Sequence, residues 1–270
     1  MSETRVPRLR RIIAIAAAAA ALLALPLGAA PAYAAAPAPV AKYVALGDSY
    51  AAGQGAGAPL DSCLRTTLGY ASQLGAVPRF NLLRLPACSG ATIDQVSAQQ
   101  LSQVNQGTTL VTITAGANDL NIGGVYAACA PDETSVACLQ AIAAATGAIP
   151  TINPKMAALV GAVHVRSPRA TIVVTGYPEP FSEAVAAVDR LAAVVNAASD
   201  ALDAQLFAAV QDEAASGVPV VFAPISFGAH AIGGGGVLWI GADPTDPVTF
   251  FHPNALGYTA YRDAILAALT

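Results

Sequence analysis

Charge is scarce in this sequence. Only 11% of its 270 residues are charged, against 55% hydrophobic, and 13 basic side chains face 17 acidic ones. A chain of net charge −4 lacks the basic surface that nucleic acid or an anionic membrane would attract. Cysteine is limited to four positions, and no two stand in a Cys-x-x-Cys pair, which argues against a zinc ribbon or a dithiol redox centre. No apolar run reaches the ~20 residues that a membrane span needs; the N-terminal one, Ile12 to Leu25, has 14. No internal repeat is visible. The Gly233–Gly236 run lacks the spacing and following helix of a phosphate loop. Asp243 and Asp246, each followed by proline, fall far short of a calcium shell and suit turns instead.

The N-terminal apolar run follows a basic head of Arg5, Arg8, Arg10 and Arg11. Pro26 and Gly28 break it, and Ala32-Tyr33-Ala34 supplies a small-x-small cleavage pattern. This predicts a secretory signal peptide over residues 1–34, with a retained anchor as the competing reading and Arg10-Arg11 as weak support for twin-arginine export. Cleavage after Ala34 leaves 236 residues with 9 basic and 16 acidic side chains, a net charge of −7. That length suits one domain over residues 35–270, secreted and monomeric, with no stable membrane insertion. Four cysteines in an exported chain imply disulfides. Of three possible pairings, Cys63–Cys88 and Cys129–Cys138 close local loops and are preferred, each stabilising by roughly 3 kcal/mol.

Short apolar or β-branched runs predict strands at 43–46, 80–85, 109–114, 170–175 and 218–223. Helical patterns fall between them at 70–76, 91–104, 134–145, 154–165 and 182–216, the last with one break. A closing helix over 255–269 has Leu256, Tyr261, Ile265 and Leu269 as its expected inner face. Strands that alternate with helices, several of them near-continuous apolar runs and the one at 80–85 alternating, imply a parallel sheet covered on both faces. The expected architecture is α/β: a three-layer α/β/α sandwich, five parallel strands in the order 2-1-3-4-5. Two long irregular segments, 53–69 and 226–251, are expected to be functional or tied down.

Chemistry concentrates at the carboxyl ends of these strands. Gly47-Asp48-Ser49-Tyr50-Ala51-Ala52-Gly53 follows the first, Ala87-Cys88-Ser89-Gly90-Ala91 the second and Gly116-Ala117-Asn118-Asp119-Leu120 the third. Phe251-His252-Pro253-Asn254-Ala255-Leu256-Gly257-Tyr258 precedes the last helix. A serine hydroxyl is a weak nucleophile and needs a base. His252 is the candidate, because imidazole titrates near neutrality. Acyl transfer passes through an oxyanion, for which the backbone N–H groups of Ser49 and Gly90 and the Asn118 amide are candidate donors. Singly, each fragment has a plainer reading: Ser49 an N-cap, Gly90 a turn, His252 the residue before a proline-started helix. Asp48 and Asp119 read as supporting hydrogen-bond partners, His164 and His230 as structural.

Taken together and in order, GDSYAAG, CSGA, GAND and FHPNALGY resemble the four blocks of the SGNH (GDSL) hydrolases, over nearly the whole mature chain. The cysteine spacing is similar to that of the family's secreted actinobacterial lipases and esterases, without the third disulfide these often carry. The resemblance implies a flavodoxin-like sandwich, no metal or organic cofactor, and a small-molecule or lipid ester as substrate. It implies Ser49 as nucleophile, His252 as base, and Ser49, Gly90 and Asn118 as the oxyanion hole. One departure stands out. The Asp usual three residues before the histidine is Thr249 here. A Ser49–His252 dyad is therefore expected, with the Thr249 carbonyl orienting the imidazole as in some actinobacterial relatives, and with Asp246 and Asp243 as lesser candidates. The expected reaction is hydrolysis of carboxylic, chiefly fatty-acyl, esters. A carbohydrate O-deacetylase and a non-catalytic binding protein on the same fold are the alternatives.

Overall fold

A computed structural model of the chain describes residues 39–270. The expected signal peptide and its cleavage site after Ala34 lie outside the described residues.

Five parallel strands form one sheet: β1 (Ala41–Gly47), β2 (Phe80–Arg84), β3 (Leu110–Thr114), β4 (Thr171–Thr175) and β5 (Val220–Ala223), in the order β2-β1-β3-β4-β5. The order and direction are those the sequence predicts. The central strand β3 is buried along its whole length and the last five residues of β1 are buried too. Helices on both faces explain why these strands read as unbroken apolar runs rather than alternating ones. β2 is an edge strand and correspondingly half-exposed.

The connecting helices are α1 (Ser49–Ala52), α2 (Tyr70–Gly75), α3 (Ile93–Gln95, continued by wider and tighter turns to Gln103), α4 (Ala117–Leu120), α5 (Ile122–Cys129), α6 (Val136–Arg166), α7 (Glu183–Ala186), α8 (Arg190–Ala215) and α9 (Ala255–Ala268). Ser182 and Asp189 cap α7 and α8 through their side chains, which accounts for the single break expected in 182–216.

Two expectations fail. The separate helices expected at 134–145 and 154–165 are one 31-residue helix, α6, with Pro150 and Pro154 inside it. Proline removes a hydrogen bond and crowds the preceding turn, yet apolar residues before, between and after the two prolines, Ala145, Ile152, Met156 and Leu159, are buried in the core. Packing outweighs the local cost. In α9 the buried stripe is Gly257, Tyr258, Tyr261 and Ile265, whereas Leu256 is half-exposed. Leu256 precedes Tyr261 by five positions, which places it well around the helix from that stripe. Helices α4 and α5 were not predicted at all.

Both cysteine pairs preferred from the sequence are disulfide-bonded, Cys63–Cys88 at an S–S distance of 2.00 Å and Cys129–Cys138 at 2.01 Å. The first ties the long 53–69 segment to the loop after β2.

Candidate active site

The turn that carries Ser49 begins where β1 stops. Gly47 has φ +138°, and a Cβ there would lie 2.1 Å from the Thr114 carbonyl oxygen, so only glycine lets β1 turn against β3. The buried Gln100 amide bonds both the Gly47 N–H and its carbonyl, each at 2.8 Å. Asp48 then caps α1, its Oδ1 accepting from the Tyr50 N–H at 2.9 Å while its Oδ2 accepts from the Tyr177 hydroxyl at 2.5 Å. Complete burial pushes the Asp48 carboxyl up to about 7, against the lowering effect of these hydrogen bonds. Asp48 is thus a supporting residue of the turn, in a place water does not reach.

Ser49 opens α1 and is 6% exposed. Its Oγ lies 2.9 Å from His252 Nε2, although 203 residues separate them in the chain. His252 precedes Pro253, and Asn254 caps α9 through its side chain. On the other side of the ring, Nδ1 lies 2.8 Å from the carbonyl oxygen of Phe250. A carbonyl only accepts, so Nδ1 carries the proton and Nε2 presents its lone pair to the serine hydroxyl. Burial lowers the His252 pKa to about 4, with the Phe250 carbonyl opposing. The imidazole is neutral at pH 7.

The carbonyl that meets the ring is therefore not that of Thr249. The Thr249 carbonyl accepts the backbone N–H of His252 itself, at 2.8 Å. This closes a four-residue turn whose third residue, Phe251, has φ +58°. A positive φ at that position marks a type II-like turn, in which the peptide between the two central residues is rotated. That rotation presents the Phe250 carbonyl to Nδ1. The Tyr50 hydroxyl holds the turn by donating to the Phe251 carbonyl. Asp246 and Asp243 take no part: Asp246 accepts from Thr249 Oγ1 and the Val248 N–H, and Asp243 from Thr245.

Asn118 stands in the first turn of α4, after β3, and its amide donates to the Ala91 carbonyl at 3.1 Å, leaving a second N–H on the same nitrogen. Gly90 lies on the loop just before Ala91. That loop is anchored by the Cys88 N–H on the Gly47 carbonyl at 3.1 Å and the Ser89 N–H on the Cys63 carbonyl at 3.1 Å. Gly90 has φ +80°, and a Cβ there would meet nothing; backbone conformation, not space, selects glycine. Among the described residues, no protein acceptor takes the N–H of Ser49 or of Gly90. Asp119 supports its neighbour: it accepts from the Ile93 N–H at 2.9 Å and pairs with Lys155 Nζ at 3.0 Å.

Ser49, Asn118 and His252 line one cavity of about 290 Å³, walled by Ile122, Pro178, Pro180, Pro247 and Phe250. Gly90 is not among its lining residues. A larger cavity of about 570 Å³ adjoins it at Tyr177 but contains none of the three; Glu179, Glu183, Asp200 and Asp203 line it. Ser49, Asn118 and His252 meet only in the smaller one. His230, outside both mechanisms of attack and proton transfer, bonds the Val237 carbonyl and stacks on Trp239. Among the described residues no group of three or more His, Cys, Asp or Glu side chains is arranged to hold a metal ion.

Sequence reasoning missed three contributors: Gln54, Tyr50 and Tyr177. Gln54 sits five residues after Ser49, just beyond the Gly47–Gly53 motif, and a lone amide among small residues was the available signal. Tyr177 follows β4 at the same sheet edge as the other motifs.

A parallel five-stranded sheet with a buried serine and a histidine at its carboxyl edge defines a serine hydrolase-like site. The family model described as GDSL-like Lipase/Acylhydrolase family matches residues 45–260, and the chain belongs to that family. It is a carboxylic ester hydrolase. It is 32% identical over 242 residues to Lipase 1 of Streptomyces coelicolor, covering 85% of this chain and 87% of that one. Among solved structures, the extracellular lipase of Streptomyces rimosus aligns with a TM-score of 0.71 at 34% identity, over 84% of this chain and 99% of its own. Phospholipase A1 of Streptomyces albidoflavus aligns with a TM-score of 0.74 at 27% identity, over 85% and 99%.

Proposed function

We propose that the protein is a secreted serine esterase that cleaves fatty-acyl esters through a Ser49–His252 dyad. The observation that carries this reading is the 2.9 Å contact between Ser49 Oγ and His252 Nε2, with the ring's other nitrogen held by the Phe250 carbonyl. Ser49 Oγ attacks the ester carbonyl carbon as its proton passes to Nε2. The resulting oxyanion is met by the N–H groups of Ser49 and Gly90 and by the free N–H of Asn118. The tetrahedral intermediate collapses, the alcohol departs with the proton from Nε2, and the acyl group remains on Ser49. Water then attacks with His252 again as base, and the acid leaves. The Phe250 carbonyl orients the ring and stabilises the imidazolium, as a carboxylate does in a triad.

The acyl side is argued from the cavity. Its walls of proline, isoleucine and phenylalanine offer apolar surface and few hydrogen-bond partners, which suits an alkyl chain better than a sugar. The lipases and phospholipase among its relatives favour the same substrate class. Export, with residues 1–34 removed and 35–270 forming one hydrolase domain, rests on the basic head, the 14-residue apolar run and the Ala-Tyr-Ala site, and agrees with an extracellular relative.

The test is hydrolysis of chromogenic esters from acetyl to palmitoyl by the mature chain and by Ser49→Ala. Activity that rises beyond acetyl and vanishes in the variant is expected. Activity confined to acetyl would overturn the fatty-acyl assignment, and full activity in Ser49→Ala would overturn the serine mechanism.

A further inference from the structure

Tyr50 ties the Phe251 end of the histidine loop to α1, and the dyad leaves open what ties its Val248 end to the rest of the site. In a triad a carboxylate orients the imidazole; among the described residues no carboxylate bonds His252. We propose that Gln54 is a positioning residue that fastens the His252 loop to the loop carrying Gly90, a role that rests on reading Ser49 and His252 as the dyad.

Gln54 is 4% exposed and every polar atom it has is engaged. Its N–H bonds the Ser49 carbonyl at 3.0 Å, and its carbonyl accepts from the Tyr258 hydroxyl of α9 at 2.7 Å. Its backbone thus joins the nucleophile helix to the helix that follows the histidine. Its side chain spans the other gap. Nε2 donates to the Val248 carbonyl at 3.0 Å and reaches the Pro247 carbonyl at 3.4 Å. Oε1 accepts from the Ser89 hydroxyl at 2.6 Å. Ser89 immediately precedes Gly90, and Val248 lies four residues before His252. The amide orientation is forced, because two carbonyls face one end and only nitrogen can donate to them.

The same Nε2 lies 3.3 Å from His252 Nδ1. Since Nδ1–H is already given to the Phe250 carbonyl, this is a donor beside a donor. The amide packs against the ring and confines it without stabilising its charged form. A carboxylate in that place would do the opposite. A buried bridge of this kind matters because small misplacements of catalytic groups are expensive, about a hundredfold in rate for ~1 Å.

The experiment compares the parent with Gln54→Glu, Gln54→Leu and Ser89→Ala on a soluble butyrate ester. Gln54→Leu is expected to lower kcat roughly 10- to 100-fold, with KM within about twofold. Adding Ser89→Ala to Gln54→Leu is expected to cost nothing further, because the bond between them is already gone. In Gln54→Glu the buried carboxyl, while protonated, can still donate to the Val248 carbonyl and accept from Ser89, so kcat should stay near the parent's at low pH and fall as the carboxyl ionises against the Val248 and Pro247 carbonyls. A residue that served only stability would not give kcat this new fall with rising pH. A Gln54→Glu variant whose kcat follows the parent's pH profile, with Ser49→Ala inactive, overturns the role of Gln54 while leaving the dyad standing. Hydrolysis retained by Ser49→Ala overturns the dyad and this role with it. If Gln54→Leu does not fold, the near-isosteric Gln54→Glu decides by its pH profile alone.

Discussion

His252 Nδ1 lies 2.8 Å from the carbonyl oxygen of Phe250, two residues earlier in the chain. A peptide carbonyl in this place is a neutral partner. It fixes the ring's tautomer but adds no full negative charge to favour the imidazolium, and burial dominates the ring's titration.

The pH profile follows. In the proposed dyad His252 acts as a base only when neutral, and burial lowers its pKa to about 4. The acid limb of kcat/KM is therefore expected near pH 4, with activity level from there to neutrality; a limb near 6.5 would show an unperturbed histidine. Stability has the same sign. The folded ring binds a proton less readily than the unfolded one, so its contribution is complete above about 6.5 and is lost as pH falls towards 4.

Removing Asn118, a proposed oxyanion donor, should act on turnover rather than binding. Asn118→Ala is expected to lower kcat roughly 100- to 1,000-fold with little change in KM. The Asn118 amide also holds the Ala91 carbonyl, so melting temperature should be followed alongside. A kcat within a few-fold of the parent would remove Asn118 from the oxyanion hole.

The two disulfides should differ in kind. Closing loops of 25 and 9 residues stabilises by about 3.5 and about 2.5 kcal/mol on the chain-entropy account. Cys88 stands two residues before Gly90, whereas Cys129 and Cys138 join α5 to α6. The double variant Cys63→Ser/Cys88→Ser is expected to lose both melting temperature and kcat, and Cys129→Ser/Cys138→Ser melting temperature alone. Equal loss of kcat in both would deny the first disulfide any part in shaping the Gly90 loop.

Asp48 should show the opposite pH dependence from His252. Its carboxyl is raised from 3.8 to about 7 by burial, so the folded chain holds this proton more firmly than the unfolded one. The stabilisation it brings is complete below about 3.8 and is lost as pH rises through 7. Asp48→Asn cannot ionise. Relative to the parent, its melting temperature should be more favourable at pH 8 than at pH 5. The same difference at both values would mean that Asp48 titrates normally.

Much of this architecture was legible because it is local. Apolar runs of four to six residues bounded by glycine and proline located all five strands, and the motifs after β1, β2 and β3 lay where a parallel sheet gathers its carboxyl ends. One break was legible in 182–216, but its place, between the capped helices α7 and α8, was not. Propensity failed where packing overrode it: 134–145 and 154–165 read as two helices, the second starting at Pro154, yet α6 runs through Pro150 and Pro154 as one. Leu256 read as core because leucine usually is, and the turn of α9 decided otherwise.

The sequence by itself determined the order of elements, the parallel sheet and the residue types at its active edge, since strand period, glycine placement and motif order act over a few residues. Tertiary structure alone decided which carbonyl meets the histidine. The rotation of one peptide in the Thr249–His252 turn, secured by a hydroxyl from Tyr50, selected Phe250 over Thr249. It alone placed Gln54 between two loops that lie 35 and 194 residues away in the chain. Such contacts depend on how packed elements orient a peptide plane or an amide, and no pattern along the chain encodes that orientation.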